Sequence, residues 1–467
     1  MRKVQHTKSP IDDSIVVERT YASPKDAKKI IIKAKEAHKQ WHKVSIEERA
    51  ALCTKAVDAF VAKKDEIGEE ITRQMGRPIR YAAGEVEGFE ERARYMISVA
   101  KNKLADTPLE DKEGFERFIR RESLGVVFTI APWNYPYLTA VNSIIPALMA
   151  GNTVVLKHSA QTPLCAERLA DAFAEAGFPE GVFQILHATH ETVAGMIKEP
   201  DFDSNIDYIA FTGSVAGGEA IETSASGLFK GVGLELGGKD PAYVRADADL
   251  PFSIESLVDG VYFNSGQSCC GVERIYVHKD VFEPFVEGFK KLVENYVLGD
   301  PMDELTTLGP MVKNSAAVFV REQINDAIEQ GATALIDTDK FPADVGDTPY
   351  LAPQVLINVN HTMRIMTQES FGPVVGIQSV ESDQEALQLM NDSEYGLTAS
   401  IWTNDKNKAL ELADDLETGT CFMNRCDYLD PALAWVGVKN SGRGCTLSSM
   451  GYESLTRPKS FHLRTKI

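Results

Sequence analysis

The sequence predicts an α/β protein built on doubly wound, mostly parallel sheets. From Gly125 onward, short apolar runs at Val126–Ile130, Thr153–Leu156, Val182–Leu186, Tyr208–Phe211 and Val232–Leu236 alternate with helical stretches of about ten or more residues. Runs of that length without polar alternation suit strands buried on both faces, and the intervening helices supply parallel crossovers. The second half repeats the rhythm less evenly, and neither an internal repeat nor a Ser/Pro-rich linker interrupts it.

In chain order, Ile15-Val16-Val17 reads as an early strand. Ser23-Pro24-Lys25-Asp26 is a capped helix start with proline in the first turn. Helical periodicity follows over Ala27–Trp41, Ile46–Gln74 and Ala82–Lys103, with Lys and Glu on solvated faces. His38 and His42 lie four apart on the first of these helices; a metal site needs further ligands, so they read as surface histidines and no metal is expected. Residues 105–123, turning at Asp111-Lys112-Glu113-Gly114, form an extended excursion. Beyond the first sheet, helices are predicted at Pro251–Asn264, Val281–Asn295, Asn314–Gln330, Gln384–Asn391 and Lys406–Leu416. Strands are predicted at Arg274–Val277, Val355–Asn358, Val374–Val380, Ser400–Trp402 and Cys421–Asn424, and the domain boundary near Gly237–Asp240.

Composition narrows the function. With 467 residues, 43% hydrophobic and 25% charged, the chain is long enough for two or three domains of ordinary globular composition. A net charge of −19 argues against nucleic acid, and no apolar run approaches the ~20 residues that span a bilayer. The start Met-Arg-Lys-Val-Gln-His lacks a signal-type apolar region. Seven cysteines without C-x-x-C spacing fit a reducing compartment, so a cytoplasmic location is expected.

Chemistry concentrates at three predicted strand ends. Val261-Tyr-Phe-Asn-Ser-Gly-Gln-Ser-Cys-Cys-Gly271 carries a cysteine pair behind Asn264, Gly266 and Gln267. Read alone, this is a buried pair in a tight loop. Val232-Gly-Leu-Glu-Leu-Gly-Gly-Lys-Asp-Pro241 offers one carboxylate, Glu235, and Thr129-Ile-Ala-Pro-Trp-Asn-Tyr-Pro136 offers the amide of Asn134. Thiol, carboxylate and amide are a nucleophile, a base and an oxyanion donor. Phe211-Thr-Gly-Ser-Val-Ala-Gly-Gly218 follows a strand and opens a helix, as a phosphate-facing turn does, although it is neither a Walker A loop nor G-x-G-x-x-G.

Together these motifs closely resemble the aldehyde dehydrogenase superfamily over nearly the whole chain, with some likeness to succinate-semialdehyde-type members around Leu156-Lys-His-Ser159. The resemblance implies two doubly wound Rossmann-like domains and a small β oligomerisation element. Residues 1–104 and 124–238 would bind nucleotide, 239–440 would be catalytic, and 105–123 with 453–467 would supply oligomerisation strands of a homodimer or homotetramer. It assigns Cys269, two residues after Gln267, as nucleophile, with Glu235 as base and Asn134 as oxyanion donor; Cys270 remains a packing neighbour or a disulfide partner.

The same resemblance places NAD(P)+ against Ile130, Trp133, Lys157, Ala160, Gly213, Ser214, Gly218, Glu369 and Phe371. A small aldehyde would lie among Tyr135, Leu138, Thr139, Asn142, Ser268, Cys270 and part of residues 425–435, where Arg425 reads either as a partner for a substrate carboxylate or as a surface arginine. In NAD-preferring relatives a glutamate stands where this chain has Ala160, so NADP is expected to be accepted. Trp435 and Val436 replace the family's usual Phe and Gly, and Cys445–Met450 lacks its Arg-Glu. Rival readings are a coenzyme-A-acylating relative, which commonly lacks the Glu235 base; a cysteine hydrolase, for which none of the nine histidines is suitably placed; and a non-catalytic scaffold.

Overall fold

Val126–Ala131 and Thr153–His158 are buried at every position and pair in parallel at the middle of a six-stranded sheet. The computed structural model describes residues 3–198 and 206–467; residues 1–2 and 199–205, inside the expected nucleotide-binding segments, lie outside them. The strand order is Gly442–Arg443, Gly231–Glu235, Tyr208–Thr212, Val126–Ala131, Thr153–His158, Phe183–Ile185. Only Gly442–Arg443 runs antiparallel, setting Gly442 opposite Glu235. The fold is therefore the predicted doubly wound α/β type.

The helix at Pro24–Trp41 begins with the reciprocal Ser23–Asp26 capping box that its sequence announces. The single helix expected over Ile46–Gln74 is two, Ile46–Val61 and Lys64–Met75. The chain turns at Ala62–Lys63 without glycine or proline, and both segments deliver apolar residues such as Phe60, Ile67 and Ile71 to one core. His38 is half-buried rather than on the surface. Its Nε2 lies 2.9 Å from Ser123 Oγ, and burial pushes its pKa down to about 4.

The second sheet has seven strands in the order Thr333–Ala334, Gln354–Ile357, Val374–Val380, Val272–His278, Asp240–Val244, Thr398–Trp402, Thr420–Met423. Asp240–Val244 is absent from the sequence reading, because Gly237, Gly238 and Pro241 mark the stretch as a boundary. The strand is nevertheless wholly buried. It accommodates its proline where the pairing with Val272–His278 slips register between Asp240 and Pro241.

A third, three-stranded sheet joins Thr107–Pro108, Phe115–Ser123 and Thr456–Arg464. The two segments expected to supply oligomerisation strands, 105–123 and 453–467, pair with each other, and Phe118 stacks on Phe461 with centroids 4.6 Å apart. Val4–Lys8 adds an unpredicted hairpin partner to Ile15–Thr20. Among the described residues no helix is long and apolar enough to cross a membrane.

Candidate active site

The cysteine pair sits at the end of a strained turn. Helix Leu250–Tyr262 runs into Asn264, Ser265 and Gly266, which have φ of 54°, 57° and 70° in succession. Two consecutive non-glycine residues in the left-handed region hold only where surroundings over-determine them. Here they do. Asn264 Nδ2 donates to the carbonyls of Asn134 (3.3 Å) and Gln267 (3.2 Å), Ser265 Oγ donates to Gly309 O (2.8 Å), and Gln267 Oε1 accepts from Val312 N (2.8 Å). A Cβ at Gly266 would come within 2.2 Å of Gly372 O, so this turn and the Glu369–Gly372 loop touch backbone to backbone.

Asn134 is bound to that turn. Its Nδ2 lies 3.2 Å from Gln267 O, and its own carbonyl accepts from Arg77 Nη2 at 2.6 Å. Arg77, buried to 2% exposure, also donates to Asn264 Oδ1 (3.2 Å) and to Glu85 Oε2 (2.6 Å). Glu85 Oε1 accepts from the N–H groups of Tyr137 and Leu138, both at 3.0 Å, and so caps helix Pro136–Met149. The sequence reading omits this pair, since an arginine in a Gly-Arg-Pro connection and a glutamate at a helix start look like surface charge.

Cys269 lines two openings at once. One is a cavity of about 250 Å³ whose wall includes Tyr135, Leu138, Thr139, Asn142, Glu235, Ser268 and Cys270. The other is a cleft of about 510 Å³ reached past Trp133, Asn134, Gly213, Ser214, Glu369 and Phe371. Glu235 lines both. Its oxygens accept from Thr446 Oγ1 and, at 3.3 Å, from Thr212 Oγ1. Burial nonetheless raises its pKa above the ordinary carboxylate value, against the pull of Thr446 and Arg92. Cys270 is buried and donates to Asp427 Oδ1 at 3.1 Å, which Ser268 Oγ also approaches at 2.7 Å. Its thiol is held well above the usual range, first by the neighbouring Cys269 and then by burial.

The larger cleft suits a dinucleotide. Ser214 caps helix Val215–Ala225 from the cleft wall. Among the described residues the Glu369 carboxylate has one donor, Gly238 N at 3.1 Å, and burial followed by the charge of Glu273 pushes it up to about 8. Lys157 does not line this cleft; it is 7% exposed, its ammonium has no hydrogen bond or ion pair among the described residues, and burial pushes it down to about 8. A carboxylate and an ammonium short of partners are what ribose hydroxyls would satisfy. Phe371, with φ of 51°, is fixed by Glu273, which accepts from Ser370 N and Phe371 N (both 2.8 Å) and from Lys239 Nζ (2.6 Å), and its ring meets Trp133 edge-on.

Other expected residues stand elsewhere. Arg425 is exposed and stacks on Tyr428, its guanidinium 3.5 Å from the ring centroid, rather than lining the cavity. Ile130 is a core residue in register with Lys157, and Gly218 turns its Cα to Leu236, where a Cβ would meet Cδ2 at 2.7 Å; it serves packing, not the cleft. Ala160 is exposed, its carbonyl taken by Gln5 Nε2 and Thr7 Oγ1, both at 2.7 Å. Beside it, His158 faces inward between Pro136 O (3.0 Å) and Thr162 Oγ1 (3.1 Å), and burial lowers it to about 4, so it brings no charge to the cleft. Residues absent from the sequence reading but present in the cavity wall include Glu91 and Arg92; Asp427, Tyr428 and Trp435 line it as part of the expected 425–435 stretch.

Residues 2–461 match the aldehyde dehydrogenase family. The chain belongs to that family. An aldehyde dehydrogenase of Paenarthrobacter nicotinovorans is 37% identical over 94% of this chain and 95% of its own length. A succinate semialdehyde dehydrogenase [NAD(P)+] of Escherichia coli strain K12 is 34% identical over 92% of each chain. Among solved structures, the NADP-dependent glyceraldehyde-3-phosphate dehydrogenase of Bacillus halodurans C-125, complexed with NADP, superimposes with a TM-score of 0.93 at 33% identity, covering 99% of this chain and 96% of that one. This aldehyde dehydrogenase is thus an NAD(P)-dependent oxidoreductase that converts aldehydes to acids.

The Arg77–Glu85 pair gives a direct test. Glu85→Ala leaves a buried guanidinium without its counter-ion and should cost ~3–5 kcal/mol, read as a lower denaturant midpoint. Replacing both residues with leucine or methionine should recover part of the stability but not the activity, because Asn134 then loses its anchor.

Proposed function

We propose that Cys269, Glu235 and Asn134 carry out the oxidation as nucleophile, general base and oxyanion donor. The observation behind this reading is that Cys269 and Glu235 both stand at the junction of the two openings, with Asn134 beside them in the cleft. The Cys269 thiolate adds to the aldehyde carbon, and the oxyanion is met by Asn134 Nδ2 and the Cys269 N–H. When bound, the cofactor's nicotinamide ring supplies the hydride acceptor. Glu235 then takes a proton from water, whose oxygen attacks the Cys269 thioester and frees the acid. Glu369 and Lys157 would hold the two riboses, and Gly213 with Ser214 the pyrophosphate. The Glu235 base favours water over coenzyme A as acyl acceptor.

The proposed division is 1–104 with 124–238 for nucleotide, 239–440 for catalysis, and 105–123 with 453–467 for self-association in a homodimer or homotetramer. The long pairing of Phe115–Ser123 with Thr456–Arg464, mostly at exposed or half-exposed positions, supports the last assignment. A cytoplasmic location agrees with seven free cysteines.

Cys269→Ala should abolish aldehyde oxidation while Cys270→Ala keeps a substantial rate; the reverse pattern in a cofactor-reduction assay would move the nucleophile by one residue.

Because burial raises Glu235, its basic form fills in only as pH climbs above the ordinary 4.5, so thioester hydrolysis should rise with pH through that higher value. Glu235→Gln should remove this limb and slow hydrolysis by roughly 10²–10⁴-fold, with a burst of reduced cofactor in stopped flow. Wild-type turnover by this variant would transfer the role to another group.

NADP is accepted on this reading because Ala160 offers no carboxylate to repel a 2′-phosphate, with Lys157 as the nearby cation. Ala160→Glu should shift the kcat/KM ratio toward NAD by about tenfold or more, the scale of one charge contact. An unchanged ratio would place the 2′-phosphate elsewhere.

A further inference from the structure

One oxygen holds both residues that bracket the proposed nucleophile. Asp427 Oδ1 accepts from Ser268 Oγ at 2.7 Å and from Cys270 Sγ at 3.1 Å, so the segment 268–270 is clamped on either side of Cys269. The two thiols then have different surroundings. Cys270 is 3% exposed and packs with Leu397, Trp435 and Leu447, whereas Cys269 is half-buried and reaches both the cavity and the cleft. Adjacent cysteines are chemically alike, and their order along the chain does not decide which of them reacts.

Asp427 is itself held in place at a cost. Its φ is 45° and that of Asn424 is 53°, both in the left-handed region. Asn424 brackets Thr403, accepting from its N–H at 3.0 Å and donating to its carbonyl at 2.9 Å. Cys426 Sγ lies 3.6 Å from Ser256 O on helix Leu250–Tyr262. The loop after strand Thr420–Met423 thus delivers a fixed carboxylate to the thiol-bearing turn.

The charges around Cys270 keep its proton in place. The carboxylates of Asp427 and Asp240, the Cys269 thiol and the Tyr135 hydroxyl all disfavour an anion there, and the Arg92 guanidinium opposes them. A Cys270 thiolate would stand against a carboxylate at hydrogen-bond distance, without the S–H that now joins the two. Burial raises the Asp427 carboxyl, while the hydrogen bonds from Ser268 and Cys270 and the charges of Arg77 and Arg92 pull it back toward the ionised form.

We propose that Asp427 is a positioning residue for the oxidation: by holding the Cys270 proton and the Ser268 hydroxyl on one carboxylate oxygen, it leaves Cys269 as the reactive member of the adjacent pair. This deepens the reading of Cys269 as nucleophile and rests on it.

The test follows Cys270 itself, by iodoacetamide labelling and peptide mass mapping in a Cys269→Ala protein, where no adduct on Cys269 can block the cavity. The thiolate is the species alkylated, so the labelling rate reports the thiolate fraction. Adding Asp427→Asn removes the charge but keeps the shape and an acceptor oxygen. It should speed labelling by about tenfold or more, the factor for one unit of thiol pKa, and move the pH profile to lower pH. With Cys269 intact, Asp427→Leu removes charge and acceptor together and should lower kcat by roughly 10–100-fold at unchanged KM for the cofactor, the scale of a misplaced reacting group. Asp427→Asn should keep the larger part of kcat, because its amide oxygen maintains the clamp. Equal labelling with and without Asp427→Asn overturns the proposal, since burial alone would then protect Cys270. So does an Asp427→Leu enzyme with wild-type kcat; should that variant not fold, the isosteric Asp427→Asn comparison decides alone. The two readings fail separately. Aldehyde oxidation that survives Cys269→Ala sinks the Cys269 reading and this one with it, whereas unchanged Cys270 labelling sinks only this one.

Discussion

The arrangement of the site depends on one buried ion pair. Arg77 and Glu85 stand at 2% and 1% exposure between the helical N-terminal region and the cysteine turn. Arg77 fixes the Asn134 carbonyl and Asn264 Oδ1, while Glu85 fixes the start of helix Pro136–Met149. The pair thus binds a loop of the six-stranded sheet to the turn that precedes strand Val272–His278 of the second sheet. Without it, the left-handed run at Asn264–Gly266 would lose one of the contacts that over-determine it, and the amide and thiol would be positioned independently. Removing one partner is far more damaging than removing both, because the uncompensated charge is the costly species.

The remaining charged groups show how a site can be kept costly on purpose. Glu369 and Lys157 both sit near a pKa of about 8 through burial, one raised and the other lowered, each with too few partners. Glu273 is the contrast, with two backbone N–H groups and a lysine on its oxygens. Saturated groups hold loops in place; unsaturated ones wait for a ligand.

The sheets, most helices and the three strand-end motifs were legible in the sequence, because buried parallel strands are continuous apolar runs and the motif residues lie close together in the chain. Where the reading failed, the reason lay in tertiary structure. Asp240–Val244 hides behind two glycines and a proline, yet burial and a register slip make it the strand between Val272–His278 and Thr398–Trp402. The break at Ala62–Lys63 has no punctuating residue. Arg425 was a reasonable guess for a substrate partner by sequence position, but Tyr428 holds it outside. Partner counts decide such roles, and they cannot be read from neighbours in sequence.

The strand that ends in Glu235 is not finished by its own neighbourhood. Gly442–Arg443 pairs with Glu235 and Leu234, Leu236 N donates to Ser441 O, and Thr446 Oγ1 donates to the Glu235 carboxylate. These residues come from near the far end of the chain. During synthesis, therefore, the Cys269 turn leaves the ribosome well before the segment that holds Glu235. A chain lacking that segment would leave the Glu235 carboxylate without its Thr446 hydrogen bond and its strand without an antiparallel neighbour.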